Sequence, residues 1–524
     1  MTDIKTQLST RQVLPVFSIY FLLCMLGLYC HDLWMDESQH FLIGRDSDSL
    51  SSLYYNMRYD GHPRLWNFLI YFITHYITRS YAGMQVLHLL IASATAFIFL
   101  RRAPFSLLEK ILILSGYYFF FEYSVISRNY ALGILLLFTA CSLLRDPRKN
   151  LLWIGVVLFF MCNTHLFLAF TAIGIFIYLL VEFWKGHEWF RPRFLLFTFL
   201  FLAGFALAVI QTRTPPEENM HLVYPNEWLS KNNLSFAAFA LIRGWLPIPQ
   251  FRGPHFWNTS SLNEQHIGGA IEIILFLFLL VAPGMVLKRN IKAVLFYYTS
   301  LFFLLFFFVV TQQTAARYFG MSFIYFLAAA WLSADGSGGG SGDGPREGSG
   351  EGSRDAFSVA NMPGDRRTKL FFRSWLFSVL ILQSLIGVFA FEQGLTRPFS
   401  QSKNAVRYIQ TLQPKGEKIV VDGYITGPML CAYLGEKVFY LATGQEGSYV
   451  IWKSSYFLPK LSISQAIARN PALRGFGEFI LVSNKKEDLA DIHSANGDYR
   501  LSPLQSFENG IINENFYIYR VDPI

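Results

Sequence analysis

The sequence predicts a polytopic α-helical membrane protein of about eleven transmembrane helices, followed by a C-terminal α/β domain outside the bilayer. Three observations predict it. Charged residues make up only 15% of the chain, against 53% hydrophobic and 17% aromatic, where a soluble domain carries about 25% charged residues. Apolar runs recur at about the length that crosses a hydrocarbon core of roughly 30 Å. After about residue 396 the pattern changes to short β-rich runs that stop at turn residues and alternate with helical ones. The net charge of +8 is therefore no sign of nucleic-acid binding, because basic residues in such a chain mark cytoplasmic loops.

The apolar spans are 13–29, 82–100, 106–123, 130–144, 151–163, 166–184, 194–211, 268–287, 292–310, 316–332 and 373–391. The stretch "RLWNFLIYFITHYI", residues 64–77, is shorter and suits an interfacial or re-entrant helix as well as a crossing. Charge decides between them. If 64–77 stays at the interface, the clusters Arg101/Arg102, Arg145/Arg148/Lys149, Lys185/Arg191/Arg193, Lys288/Arg289/Lys292 and Arg366/Arg367/Lys369 share the side of the N-terminus. That side is then cytoplasmic. Loops 30–81 and 212–267 face outward with the C-terminal domain.

The expected organisation is a transmembrane module over 1–332 with outer loop 30–81, and a Gly/Ser-rich stretch, 333–367, that reads as a disordered cytoplasmic linker. A last transmembrane helix over 368–395 precedes an exoplasmic domain over 396–524. In that domain "EKIVVDGYITG", "EKVFYLATG", "EFILVSN" and "NFYIYRV" read as strands, "GPMLCAYLG" and "SISQAIARNPAL" as helices. The cysteines, Cys24, Cys30, Cys141, Cys162 and Cys431, show no CxxC or Cys/His spacing, so neither a disulfide framework nor structural zinc is expected.

With this topology the unusual polar residues gather on one face. "HDLWMDESQHFLIGRDSDSL" (31–50) opens the first outer loop and "YDGHPRLWN" (59–67) closes it. "EYSVISRNYA", "NTH" and "TQQTAARYFG" sit at later outer junctions. Ionisable groups at membrane depth are costly and usually line cavities, so one outward cavity would serve them all. Arg64, Arg128 and Arg317 offer forked donors for phosphate oxygens, with Tyr318 beside Arg317. Asp36 or Glu37 can take a proton from an incoming hydroxyl. His62, Glu122, Tyr130 and His165 are candidates for the cavity wall or for acceptor contacts. Asp36 and Gln39 also stand at the spacing of a capping box, and Glu37 suits a first helical turn. Hard cations take oxygen ligands, but the acidic loop fixes no ligand set, so no metal and no cofactor is firmly implied.

The acidic pair after the first helix, the "HP-R-L" segment, the "S-R-x-Y-x-L" junction and the late "RY" resemble the GT-C superfamily of membrane glycosyltransferases. Among its members the order is similar to the protein O-mannosyltransferases and the aminoarabinose lipid A transferases. The resemblance covers residues 1–332, and the trailing outer domain fits it. It implies an inverting enzyme of the bacterial inner membrane, with a cytoplasmic N-terminus and a periplasmic C-terminal domain. Its donor would be a polyprenyl-phosphate-linked sugar and its acceptor a glycan, lipid or protein. Asp36 falls on the family's catalytic acid, and His62, Pro63 and Arg64 fall on its His-Pro-Pro-Leu segment, with Arg64 in place of the second proline. Two other readings share some features: an O-antigen ligase or polymerase, which the 212–267 loop would suit, and a lipid-linked sugar flippase. The flippase should show inverted repeats and midplane polar sites, and the sequence has neither.

Overall fold

The computed structural model describes residues 9–184, 187–213, 215, 231–264, 269–311, 315–336, 357, 364–412, 417–453, 470–486 and 499–523. Among them seven helices are long and apolar enough to cross a membrane. They are Thr10–Cys30, Tyr81–Arg102, Leu166–Trp184, Pro192–Thr212, Gly269–Leu287, Ile291–Thr311 and Arg366–Thr396. The other four predicted spans are present as shorter or broken helices. Asn129–Leu143 and Pro147–Cys162 have 15 and 16 residues. The span expected over 316–332 breaks at Gly320 into Ala316–Phe319 and Met321–Gly336.

The span expected over 106–123 breaks for a physical reason. Helix Leu107–Leu114 stops, and the chain resumes as a π-turn, Tyr118–Glu122. Helix Arg366–Thr396 crosses at the break. Ser115 Oγ and Ser384 Oγ are 2.7 Å apart, and a Cβ on Gly387 would lie 2.2 Å from the Ser115 carbonyl oxygen. Only glycine permits so close a crossing.

The 64–77 segment forms helix Leu65–Tyr76, 12 residues or about 18 Å at the usual rise of 1.5 Å per residue. It is too short to cross. It packs on helix Met35–Asp46, where Asn67 Nδ2 donates to the His40 carbonyl at 3.3 Å and Thr74 Oγ1 to that of Gly44 at 3.2 Å. Phe72, Tyr76 and Ile77 on its other side are exposed.

The 212–267 segment is more than a loop. Helix Lys231–Trp245 turns into the bundle, where Trp245 is fully buried and stacks on Trp375 at 5.3 Å. The Trp245 carbonyl accepts from Gln383 Nε2 at 3.1 Å. The chain then returns toward the end of the bundle that carries Asp36.

Past helix Ser402–Leu412 the chain builds a sheet of β1 (Lys418–Val421), β2 (Val438–Tyr440), β3 (Gln445–Gly447), β4 (Phe479–Ser483), β5 (Tyr499–Phe507) and β6 (Phe516–Pro523). Their order is β3-β2-β1-β4-β6-β5. β1 runs parallel to β2 and β4, and the remaining pairs are antiparallel. Four strands and the helix Thr426–Leu434 stand where the sequence predicts them. Short polar β3 and β5, which contains Pro503 and a register shift, carry too weak a pattern to predict. In "SISQAIARNPAL" residues 462–469 lie outside the described residues, and a 3₁₀ turn, Pro471–Gly475, begins within its end. Residues 337–356 and 358–363 of the expected linker also lie outside them.

The sheet domain grips the first loop. Gln39 Nε2 donates to the Val450 carbonyl at 2.6 Å, and Val450 N donates back to Gln39 Oε1 at 2.9 Å. Leu33 N donates to Tyr433 Oη at 2.7 Å and Ser402 Oγ to the Leu33 carbonyl at 3.1 Å. The capping-box expectation is therefore corrected. Helix Met35–Asp46 begins one residue before Asp36, with Trp34 in the cap position, and Gln39 is used as a strand-like partner for Val450.

Candidate functional site

Asp36 sits in the first turn of helix Met35–Asp46, with its side chain clear of capping duty and 26% exposed. Its Oδ2 lies 3.0 Å from Arg317 Nη2 and 3.1 Å from Arg128 Nη1. Both arginine side chains are nearly closed to solvent, at 8% and 4% exposure. Three residues from different parts of the chain thus meet at one carboxylate. The Arg317 guanidinium is stacked against Trp34, Tyr318 and Trp257 at 4.9, 4.8 and 5.7 Å, contacts that hold a planar cation in one orientation. Asp36, Arg317 and Tyr318 line a cavity of about 440 Å³ with Trp34, Trp257 and, from the sheet domain, Ile511 to Asn513.

Glu37, expected to share the reactive role, has no exposed surface. Its Oε2 pairs with His31 Nε2 at 2.6 Å and its Oε1 accepts from Ser127 N at 2.5 Å. Its carboxylate ties the start of the helix to the residue before Arg128. Glu122 is also enclosed. Its Oε2 accepts from Tyr117 Oη at 2.8 Å and from Trp257 Nε1 at 2.9 Å, so it orients the indole that stacks on Arg317.

A second group gathers histidines. Tyr130 Oη and His165 Nε2 are 3.0 Å apart. The His165 ring is 5.5 Å from that of His62, which is 6.1 Å from His40. Tyr318 joins this group, 6.1 Å from Tyr130 and 6.3 Å from His165. Burial pushes the His62 imidazole down to about 4, so it is neutral at pH 7. Asp60, whose Oδ2 is shut from solvent, is pushed up to about 7 by desolvation, against the opposing field of Arg128.

Arg64 is the one of the three predicted phosphate-binding arginines that does not pair with Asp36. Its guanidinium lies 3.6 Å over the Tyr54 ring and donates to the Gln211 carbonyl at 3.3 Å. Its Nε and Nη1 have no protein acceptor among the described residues.

No protein-family model matches the chain, and no curated protein matches it. Among solved structures it is similar to the crystal structure of ArnT from Cupriavidus metallidurans bound to undecaprenyl phosphate. The match covers 98% of each chain at 11% identity with a TM-score of 0.49, a likeness too distant to bear on activity.

Sequence reasoning missed several residues of this site. Trp257, Asn258 and Ile511 to Asn513 carry no charge and lie in segments without a motif, and nothing in the sequence sets His40 and Asp60 apart in a loop rich in such residues. The one available signal was the density of Trp, Pro and His in "RGWLPIPQFRGPHFWN", unusual for a plain connection.

Proposed function

We propose that the chain is a membrane glycosyltransferase that moves a sugar from a polyprenyl-phosphate donor to a hydroxyl acceptor on the outer face, with inversion. The observation that carries this reading is the meeting of Asp36 with Arg128 and Arg317 at an aromatic-walled cavity, in a chain whose motifs resemble GT-C enzymes. The two guanidiniums take the donor phosphate, and Tyr318 flanks it. As phosphate oxygens occupy the arginine N–H groups, Asp36 loses its two partners and its Oδ2 becomes free to accept a proton. The acceptor oxygen then forms its bond to the anomeric carbon and passes its proton to Asp36. The bond from that carbon to the phosphate oxygen breaks, and the departing phosphate keeps the electron pair between two fixed cations.

Glu37 acts by position. It fixes the helix start against Ser127, so that Asp36 and Arg128 keep their distance. Glu122 does the same for Trp257 and hence for Arg317. Tyr130, His62 and His165 shape the wall beside Tyr318, and Arg64 is a second anion contact, away from the carboxylate.

The test is retention of undecaprenyl phosphate by the full chain in lipid nanodiscs. The parent should retain it, and the Arg128→Ala, Arg317→Ala double variant should retain on the order of a hundredfold less, the scale of two charge-assisted contacts. A single Arg317→Lys should also weaken it, because a point charge cannot copy the planar fork. Equal retention by parent and double variant would assign the arginines to the fold and sink the reading.

A further inference from the structure

A second cavity, of about 550 Å³, opens at the same end of the helix bundle as Asp36. It lies where helices Thr10–Cys30 and Arg366–Thr396 end, where Tyr81–Arg102 begins, and beside Ser402–Leu412. Arg397, Lys403 and Arg407 line it with Asp32 as their carboxylate. Asp32 Oδ1 is 3.5 Å from Lys403 Nζ, and Arg407 lies close enough to add to the field on the same carboxyl. Three cations thus face one carboxylate, which leaves an excess of positive charge. Arg397 and Arg407 are exposed, and among the described residues no carboxylate lies within ion-pair distance of either.

The surface below this cavity is apolar. Leu22, Met25 and Tyr29 on the first helix, Val86 and Leu90 on the second, and Leu385 and Val388 on the last all expose large side chains. Tyr29, 83% exposed, stands at the rim where the two surfaces meet. A cationic recess above a strip of exposed hydrocarbon matches an amphiphile with an anionic head and acyl tails. Basic residues attract anionic headgroups over about a Debye length, and tyrosine sits well at the headgroup level.

We propose that this cavity binds the phosphate headgroup of an anionic membrane phospholipid, with its acyl chains along the exposed faces of the three helices. The site is separate from the Asp36 cavity, and the proposal does not depend on the transferase reading. His31 lines this recess and pairs with Glu37, so a bound lipid sits one residue away from the tie that holds Ser127 beside Arg128.

The experiment uses the full chain in phosphatidylcholine nanodiscs, with phosphatidylglycerol titrated in and bound lipid counted by native mass spectrometry. The parent should hold phosphatidylglycerol in preference to phosphatidylcholine. The triple variant Arg397→Gln, Lys403→Gln, Arg407→Gln should weaken that preference on the order of a hundredfold. Arg407→Gln alone, at an exposed helix position, should weaken it about fivefold and serves if the triple variant folds poorly. Arg128→Ala should leave it unchanged. Equal preference in parent and Arg407→Gln, or no preference in the parent, overturns the proposal. Full displacement by millimolar inorganic phosphate also overturns it, since that result assigns the recess to a free anion rather than to a lipid.

Discussion

Asp36 carries two duties that a substitution can separate. It is the counter-charge of two enclosed arginines and, in the proposed reaction, the base. Asp36→Asn keeps the shape but removes both the charge and the base. Turnover should fall by roughly a hundredfold or more. Stability should fall as well, by about 2 kcal/mol, less than the roughly 3–5 kcal/mol of a fully buried broken pair because the side chain keeps 26% of its surface. Undecaprenyl phosphate, by restoring an anion between Arg128 and Arg317, should then raise the melting temperature of the variant more than that of the parent. A variant with parental turnover would move the base elsewhere. Asp36, Arg128 and Arg317 could be singled out from sequence because each is an ionisable group at a helix junction on the same predicted face. Their contact could not be read, since 281 residues separate Asp36 from Arg317. Gln39 shows the opposite case. Its local spacing suggests a cap, but a partner 411 residues away claims both of its amide atoms.

At the scale of elements, the docking of the sheet domain on helix Met35–Asp46 should make stability depend on pH. Glu514 accepts from Met35 N at 3.1 Å, and burial pushes its carboxyl up from 4.5 to about 8. Between those values the folded chain holds a proton at Glu514 that the unfolded chain releases. Glu514 therefore contributes most below about pH 4.5, and its contribution is lost as the pH rises toward 8. Glu514→Gln, which resembles the protonated form, should flatten that part of the stability curve measured by thermal melts from pH 5 to 8. A parental slope in the variant would place the linkage on other groups, of which Asp60, raised to about 7, is the first to examine. The lengths and apolar character of the long helices were legible because lipid leaves the hydrophobic signal unbroken. The break after Leu114 was not, because its cause is the crossing of a helix that starts at Arg366.

For the whole molecule, the expected sidedness can be measured directly. Gln505→Cys on the sheet and Phe251→Cys in the returning segment, both exposed, should label with an impermeant maleimide in spheroplasts. Ser341→Cys in the Gly/Ser-rich stretch should label only after the membrane is opened. Labelling of Ser341→Cys from outside would invert the topology and put the acidic loop in the cytoplasm.

The link between Met35 and Glu514, separated by 479 residues, also sets an order on biosynthesis. A ribosome has made all seven long apolar helices before Ile511 to Asn513, which close one wall of the Asp36 cavity, leave the exit tunnel. The spans can enter the bilayer one after another as they emerge, but the cavity stays open-sided until Ile511 to Asn513 have followed them. A chain ended by a stop codon at position 509 should integrate with normal sidedness yet fail to retain undecaprenyl phosphate, and supplying the missing wall as part of a separately expressed C-terminal domain should restore retention.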